Sequence, residues 1–246
     1  MALLRMLVVE DDPLLRRFVR LALETLPMEV LECDSVAAAI QILASAPVNL
    51  ILTDLMLQGA SGVDLLVHLQ AFPGLRGQAK VVVLSGGLTP ATRLALAPLQ
   101  VWCMLEKPVS IGVLEQCVQA ALADVMLPAA TPTPQPATAV LPAIDPYFGG
   151  DAALFHLYRA SCLAQFPHDI SAGDQASAAQ DAQALRRVAH NLKSVLLIIH
   201  LPELSAQART LEQACLAVPP DAAAGHWKSL RSALAALTTD QAFAHI

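Results

Sequence analysis

Side chains of the types that bind and transfer phosphate follow several apolar runs in the first half of the chain. They are two adjacent acids and, further along, an aspartate, a serine and a lysine: Glu10, Asp11, Asp54, Ser85 and Lys107. Carboxylates that share a pocket repel one another and raise one another's pKa unless a counter-charge is present. A hard divalent cation with oxygen ligands, most simply Mg²⁺ or Mn²⁺, supplies that charge. Such a cation and a lysine can neutralise a phosphoryl group on Asp54 while a hydroxyl donates a hydrogen bond to it.

The apolar runs predict a parallel sheet that gathers these groups. Strands are predicted at residues 4–9, 30–33, 50–53, 80–84 and 101–105, and helices at 13–26, 36–46, 62–72, 90–97 and 111–125. Strands that are apolar on both faces and separated by helices are typical of doubly wound α/β sheets. Ligands of such sheets bind outside the carboxyl ends of the strands, which is where these side chains stand. Asp12 followed by Pro13 predicts the start of the first helix.

A second candidate nucleophile, His190, lies in a long predicted helix of the second half. Helices predicted at residues 152–165, 178–199, 202–217 and 222–237 suggest an antiparallel four-helix bundle. At 100° per residue, His190 falls about 145° from the centre of the apolar stripe of its helix. We therefore expect an exposed imidazole, which is a competent nucleophile near neutral pH. Lys193, one turn further on, can neutralise incoming phosphoryl oxygens.

The bulk composition favours two small domains and argues against several classes of protein. The chain has 246 residues, a net charge of -6 and no basic arm, so we expect no direct nucleic-acid binding. Its five scattered cysteines show neither zinc-site spacing nor a disulfide framework. No stretch offers the roughly 20 mainly apolar residues of a spanning helix, and the first residues lack a signal-peptide pattern. We expect a cytoplasmic protein without membrane insertion.

A proline-rich segment divides the chain. Residues 128–142 read PAATPTPQPATAVLP, and prolines among small residues neither continue a helix nor build a core. The predicted organisation is a first domain at 1–126, a linker at 127–143 and a second domain at 144–246. Where such a linker is polyproline-like, it extends by about 3.1 Å per residue.

Four strings in the first half carry a family resemblance. VVEDD, TDLMLQGASGVDLL, VVVLSGG and EKP resemble the response-regulator receiver domain of two-component signalling, over about half of the chain. The resemblance implies a five-stranded flavodoxin-like sheet of order 2-1-3-4-5. It also implies that Asp54 is the phosphoacceptor, with Lys107 and Ser85 contacting the phosphoryl group. Met104 stands where receivers usually carry a switching aromatic residue, and methionine lacks such a two-state ring.

The same resemblance implies a set of metal ligands. Asp11 and Asp54 are then direct ligands, the Met56 backbone carbonyl is a third, and Glu10 acts largely through water. The resemblance also implies a cis peptide bond between Lys107 and Pro108, a bond type that proline makes accessible.

The string LRRVAHNLKSVLLIIHLPELSAQARTLEQAC is similar to the histidine-containing phosphotransfer (HPt) domain, and the similarity extends loosely over residues 144–240. It implies that His190 is a phosphoacceptor with Lys193 beside it. Ser194 and His200 stand where this family commonly has glycine. Asn191 follows the histidine where sensor kinases generally carry an acid. No glycine-rich ATP-binding segment occurs, so we do not expect a kinase or another enzyme.

Together the two resemblances predict a phosphorelay protein. Asp54 accepts phosphate from a histidine kinase or phosphotransfer protein upstream, and His190 carries it to or from the receiver of a response regulator or hybrid kinase downstream. The alternative is a phosphorylation-dependent binding switch or a phosphate sink, in which transfer between the two residues is not obligatory. An aspartate-nucleophile phosphatase is disfavoured because no second acid stands two residues after Asp54.

Overall fold

The computed structural model describes residues 4–126, 146–217 and 221–242, and it divides the chain into two compact units, Met1–Ala152 and Ala153–Ile246. The first unit thus extends past residue 144, where the sequence places the start of the second domain. The reason is a local contact: Phe148 is buried, and its ring lies edge-on to that of Phe18 with 5.6 Å between centroids. The predicted linker at 127–143 lies outside the described residues.

The first unit contains the predicted five-stranded parallel sheet, and its strand order 2-1-3-4-5 is confirmed. The strands are β1 (Leu4–Val9), β2 (Met28–Cys33), β3 (Leu50–Thr53), β4 (Lys80–Ser85) and β5 (Cys103–Glu106). The central strands β1, β3 and β4 consist mainly of valine and leucine and are buried, as expected for a sheet covered on both faces. All five predicted strands occur, with boundaries shifted by at most two residues.

Helices connect these strands. They are α1 (Pro13–Leu23), α2 (Val36–Ser45), α3 (Gly62–Ala71), α4 (Pro73–Arg76), α5 (Pro90–Leu96) and α6 (Ile111–Met126). The predicted cap of α1 is confirmed, since Asp12 Oδ1 accepts hydrogen bonds from the N–H groups of Leu14 and Leu15 at 2.7 and 3.2 Å. The short α4 has no counterpart in the predictions, because Phe72 and Pro73 look like a helix end followed by a turn.

The second unit contains four helices: α7 (Ala152–Ala178), α8 (Ala182–Ile198), α9 (Pro202–Ala214) and α10 (Asp221–Ala242). The helix predicted from residue 178 begins instead at Ala182. Gln180 adopts φ 55° and ends α7, and the Asp181 carboxylate then caps α8 by accepting from the Ala184 N–H at 2.9 Å. Conversely, α7 continues past its predicted end at residue 165 and through Pro167. Burial of Phe166 and Ala176 on either side of that proline stabilises the longer helix.

The high apolar content of the chain, with a mean hydropathy of +0.53, is accounted for by the covered sheet and by the buried sides of the helices. Leu7, Ile51 and Val83, for example, are completely buried in one cluster with residues of α2 and α3. Among residues 4–126, 146–217 and 221–242, no helix is long and apolar enough to cross a membrane.

Candidate functional sites

Three charged side chains from distant parts of the sequence meet at the carboxyl edge of the sheet. Glu10 directly follows β1, Asp54 follows β3 and Lys107 follows β5. Val9 and Thr53 are partners in the parallel register, and Asp54 N–H donates to Val9 O at 3.0 Å. Lys107 Nζ lies 2.5 Å from Glu10 Oε2 and 2.7 Å from Asp54 Oδ2. All three side chains are buried, so they form a compact charge cluster shielded from water.

Burial and mutual attraction oppose each other in this cluster. Burial alone would lower the pKa of Lys107, but the charges of Asp54 and Glu10 outweigh it and raise that pKa above its ordinary value. Lys107 therefore remains an ammonium ion at neutral pH. One cation does not fully compensate two buried carboxylates. Burial, reinforced by the charge of Asp54 and only partly offset by Lys107, raises the pKa of Glu10 to about 8.

Backbone groups hold the Asp54 carboxylate from its other side. Oδ1 accepts hydrogen bonds from the N–H groups of Leu55 and Met56 at 2.5 and 3.2 Å. The loop after Asp54 returns closely to its own start, because Gly62 N–H donates to Leu55 O at 3.0 Å. A Cβ atom on Gly62 would lie 1.9 Å from Asp54 O, so this approach requires glycine. The carboxylate is thus fixed by two amides and an ammonium group.

Two further predicted site residues lie at the same edge. Asp11 Oδ1 is buried and has no hydrogen-bond partner within the described part of the chain. Burial, together with the nearby charge of Asp54, raises the pKa of the Asp11 carboxyl group. Ser85, the last residue of β4, is buried, and its carbonyl accepts from Lys107 N–H at 3.1 Å. The following Lys107–Pro108 peptide bond is cis.

The predicted metal ligands are not drawn together into a cluster of three acids. Across the described ranges 4–126, 146–217 and 221–242, no group of three or more His, Cys, Asp or Glu side chains has metal-site spacing. The physical reason is that Lys107 occupies one oxygen of Glu10 and one of Asp54. Among the described residues, Asp11 Oδ1 is a buried carboxylate oxygen without a hydrogen-bond donor.

The second candidate site lies between α8 and α9. His190 Nδ1 is 2.6 Å from Glu212 Oε1, and Lys193 Nζ is 2.7 Å from Glu212 Oε2. Burial alone would raise the pKa of Glu212, but hydrogen bonds from His190 and Lys193 lower it to about 2. An ionised carboxylate only accepts hydrogen bonds, so Nδ1 carries the proton. When the ring is uncharged, its lone pair is consequently on Nε2.

The prediction that His190 is exposed was wrong. The residue is only 1% exposed, and its Nε2 atom is buried with no hydrogen-bond partner among the described residues. The side of α8 opposite its apolar stripe is also buried, at Ser194 and Ile198. The prediction of exposure considered only the periodicity of α8. It could not account for Glu212 on α9, whose carboxylate binds the His190 imidazole in the groove between the two helices.

Both halves of the chain match family models. Residues 6–119 match the response regulator receiver domain, and residues 158–240 match the Hpt domain. The chain carries a receiver domain and an Hpt domain. The carboxylate–lysine cluster thus lies in the receiver domain, and His190 with Glu212 lies in the Hpt domain. Since both are phosphoacceptor or phosphotransfer modules, their combination supports a phosphorelay protein.

The individual proteins below are each similar to about half of the chain. Response regulator protein PilR of Pseudomonas aeruginosa is 28% identical over 116 residues, which are 47% of this chain and 25% of that protein. Sensor histidine kinase TmoS of Ectopseudomonas mendocina is 36% identical over 106 residues, 43% of this chain and 11% of that protein. The chain therefore spans a quarter or less of these curated relatives. A crystal structure of a phosphorylated cyanobacterial phytochrome response regulator, RcpA, is 26% identical with a TM-score of 0.45, covering 54% of this chain and all of that chain.

The Hpt domain departs from its family at two positions that commonly hold glycine. His200 ends α8 with φ 62°, the left-handed conformation that glycine adopts most readily, and its ring stacks on Phe155 at 5.0 Å. Ser194 is buried, and its hydroxyl oxygen has no hydrogen-bond partner in the described ranges. The receiver domain departs at Met104, which packs against the apolar cluster between the sheet and helices α2 and α3.

Glu212 is the functional side chain that sequence reasoning missed. The short loop at 199–201 could have identified it, because it predicts an antiparallel pair of helices. In such a pair, residues at similar distances before and after the turn lie side by side. His190 and Glu212 satisfy this relation, and an acid at that height is a natural partner for an imidazole.

Proposed function

We propose that Asp54 accepts a phosphoryl group and that His190 carries or relays phosphate to or from a partner protein. The observation that carries this proposal is the buried contact of 2.7 Å between Asp54 Oδ2 and Lys107 Nζ. A lysine held charged in that position stabilises the extra negative charge that arrives with a phosphoryl group. The upstream partner would be a histidine kinase or phosphotransfer protein, the downstream partner a response-regulator or hybrid-kinase receiver, and the compartment the cytoplasm.

Phosphorylation of the receiver domain is an in-line displacement. An oxygen of the Asp54 carboxylate attacks phosphorus of a donor phosphohistidine, so that an O–P bond forms while the N–P bond breaks and the donor imidazole leaves. Lys107 remains protonated and can follow the phosphoryl oxygens. The N–H groups of Leu55 and Met56 hold the other carboxylate oxygen and orient the nucleophile.

The acids at this edge suit a divalent cation. Asp11, Asp54, the Met56 carbonyl and, through water, Glu10 would hold Mg²⁺ or Mn²⁺, for which oxygen is the preferred ligand. The buried Asp11 Oδ1, which has no hydrogen-bond donor among the described residues, supports this assignment. When bound, the cation would offset phosphoryl charge.

In the Hpt domain, Nε2 of His190 is the atom that would bond to phosphorus. Glu212 accepts the Nδ1 proton and thereby leaves the lone pair on Nε2. It also stabilises the cationic ring that forms when the N–P bond is made. Lys193, held by the same carboxylate, is positioned to neutralise phosphoryl oxygens. Because His190 is buried, transfer requires a movement that uncovers Nε2.

That burial also favours the second candidate function, a phosphorylation-dependent binding switch or phosphate sink. In this case phosphate on Asp54 changes which partner the chain binds, and His190 is not an obligatory intermediate. The two functions differ in one requirement: a relay needs Nε2 to reach a partner's aspartyl phosphate at a useful rate, whereas a switch does not.

Phosphate labelling of the full chain separates these functions. With Mg²⁺ and either a small acyl phosphate or phosphorylated donor proteins, we expect alkali-labile label on Asp54 and acid-labile, alkali-stable label on His190. Asp54→Asn and His190→Gln should each remove one class of label, while Asp34→Asn and His168→Gln, two exposed positions, should remove neither. Absence of label from wild type with every donor would overturn the proposal. If only Asp54 were labelled, and His190→Gln kept signalling in cells, the switch would replace the relay.

A further inference from the structure

A buried hydroxyl group lies one helical turn after the candidate nucleophile of the Hpt domain. Ser194 and His190 both belong to the continuous helix α8, and each is only 1% exposed. Residues four apart on an α-helix share one side of it, with about 5–6 Å between their Cβ atoms. Because helical side chains lean towards the N-terminus, the Ser194 side chain points along α8 towards the turn that carries His190.

The Ser194 hydroxyl group does not form the bond that is open to it within its own helix. A serine inside a helix can donate to the carbonyl group four residues earlier. In the same unit, Ser161 Oγ donates to Leu157 O at 3.0 Å. Likewise, Ser232 Oγ donates to Lys228 O at 2.9 Å. Ser194 Oγ is instead buried without a hydrogen-bond partner among the described residues, so its proton is available to a further acceptor.

A second unpaired polar atom belongs to the same stretch of α8. Nε2 of His190 is buried and has no hydrogen-bond partner in the described ranges, whereas Nδ1 of the same ring contacts Glu212 Oε1 at 2.6 Å. Buried polar groups are nearly always hydrogen-bonded in folded proteins, so two unpaired ones on one side of a helical turn point to a polar ligand. Because Nε2 is the atom that would bond to phosphorus, the ligand expected there is a phosphoryl group.

Lys193 and Ser194 flank His190 on opposite sides. At 100° per residue, Lys193 lies about 60° to one side of His190 around the helix axis, and Ser194 lies about 40° to the other side. A phosphoryl group on Nε2 would thus have an ammonium group on one side and a hydroxyl donor on the other. The glycine that this family commonly has in place of Ser194 offers no side-chain donor, so the second contact would be particular to this chain.

We propose that Ser194 is a further phosphoryl-binding residue, whose hydroxyl group donates a hydrogen bond to a phosphoryl oxygen on His190. The inference rests on the proposed role of His190 as a phosphoacceptor. A phosphoryl oxygen is charged, and hydrogen bonds to charged acceptors are about twice as strong as those between neutral groups. Ser194 keeps its proton throughout, since it binds the phosphoryl group and takes no part in breaking or forming the N–P bonds.

Exchange with N-phosphoimidazole tests the proposal in the full chain. The N–P bond of the protonated donor breaks and neutral imidazole leaves, while an N–P bond forms at Nε2 and the His190 ring becomes the cation. All variants carry Asp54→Asn, which keeps phosphate from passing to the receiver domain. The forward rate and the reverse rate with imidazole give the equilibrium constant of the exchange.

Removal of the hydroxyl group should lower that equilibrium constant. In Ser194→Ala we expect a fall of about tenfold, which corresponds to the loss of one hydrogen bond to a charged group. Ser194→Gly should show a similar fall, because it lacks the same donor. The control Ser232→Ala, at an exposed position, should leave the constant unchanged.

The possible results separate this inference from the proposed function. An unchanged constant in Ser194→Ala, or a rise in Ser194→Gly, would overturn the role of Ser194 while leaving His190 as a phosphoacceptor. Absence of label on His190 in the chain with native Ser194 would overturn the role of His190 itself, and this inference with it.

Thermal unfolding provides a second measurement that does not depend on phosphate. Ser194→Ala removes a buried hydroxyl group that has no partner among the described residues, so its melting temperature should not fall. Ser205→Ala is the matched buried control. It loses the 2.7 Å bond from Ser205 Oγ to Lys193 O and should melt at a lower temperature. An equal fall in both variants would show that the Ser194 hydroxyl group is bonded within the fold, and would contradict the proposal.

Discussion

Glu212 Oε1 lies 2.6 Å from His190 Nδ1, across the groove between α8 and α9. The second oxygen of the same carboxylate holds Lys193 at 2.7 Å. Glu212 thus fixes the proton on Nδ1 of His190, the candidate nucleophile. It also positions the Lys193 ammonium group, which would contact the oxygens of the phosphoryl group. The arrangement explains how a buried imidazole keeps a defined tautomer.

Replacing Glu212 should impair His190 without removing it. In Glu212→Gln, the amide still fills the groove but no longer carries the charge that stabilises the cationic ring. We expect the rate of phosphate transfer to His190 to fall by about 10- to 100-fold, the size of effect typical of losing the acid that orients a metal-binding histidine. Rapid-quench labelling from a phosphorylated receiver measures the rate. Glu203→Gln, at an exposed position of the same helix, is the control, and equal rates for the two variants would contradict the role of Glu212.

The pH dependence of stability should reveal the same carboxylate. Its folded pKa of about 2 is below the ordinary glutamate value of 4.5, so its stabilising contacts are fully present above about pH 4.5 and are lost as the pH falls towards 2. The difference in unfolding free energy between wild type and Glu212→Gln should therefore be constant near neutral pH and shrink over that acidic range. Denaturant titrations at several pH values measure it. A difference that grew on acidification would show that Glu212 is not stabilised in its charged form.

Lys107 should matter for folding as well as for phosphorylation. In Lys107→Met, Glu10 and Asp54 remain buried without their counter-charge, so we expect a loss of about 3–5 kcal/mol in unfolding free energy. At alkaline pH, where the buried Glu10 is ionised, the double variant Lys107→Met with Glu10→Gln should recover part of this loss because one uncompensated carboxylate is removed. Lys228→Met, at an exposed position, should change stability by less than about 0.5 kcal/mol. Urea unfolding measures the free energy of unfolding of the three variants. An equal loss in Lys107→Met and Lys228→Met would show that the buried contacts of Lys107 do not stabilise the fold.

Asp11 should govern the effect of Mg²⁺ on stability. At a Mg²⁺ concentration 100 times its dissociation constant, wild type should gain about 2.7 kcal/mol in unfolding free energy. If Asp11→Asn binds the ion tenfold more weakly, the gain at the same concentration falls to about 1.4 kcal/mol. Calorimetric titration gives both affinities directly. Asp34→Asn, which removes an exposed acid, should behave as wild type, and identical Mg²⁺ effects in Asp11→Asn would exclude Asp11 as a ligand.

Gly62 should tolerate no side chain. The Cβ of Gly62→Ala would meet the Asp54 carbonyl, and relieving that overlap must shift the backbone of the candidate phosphoacceptor. We expect a loss of at least about 1–3 kcal/mol in stability together with slower phosphorylation of Asp54. Gly87→Ala is the matched control, since no atom lies within 4 Å of its added Cβ. Similar behaviour of the two variants would show that the loop accommodates a methyl group.

Several elements could be predicted because their causes are local in sequence. The apolar runs of β1, β3 and β4 are typical of buried parallel strands. Because Glu10 and Asp54 directly follow two of these runs, they lie at the carboxyl edge of the sheet. Asp12 caps α1 through its own nearest neighbours. The boundaries near residue 180 were missed because the left-handed turn at Gln180 has no sequence signal as clear as a glycine.

The amino-acid sequence by itself determined the strands, the candidate phosphoacceptors and the lysine and acids that surround Asp54, since spacing and chemical type are written along the chain, and the family resemblance supplied the strand order. Only the tertiary structure decided that Lys107 binds Glu10 as well as Asp54, that Glu212 holds His190, and that His190 is buried. The physical reason is that burial and hydrogen bonding depend on which neighbouring element faces a side chain, and periodicity within one helix carries no information about the next.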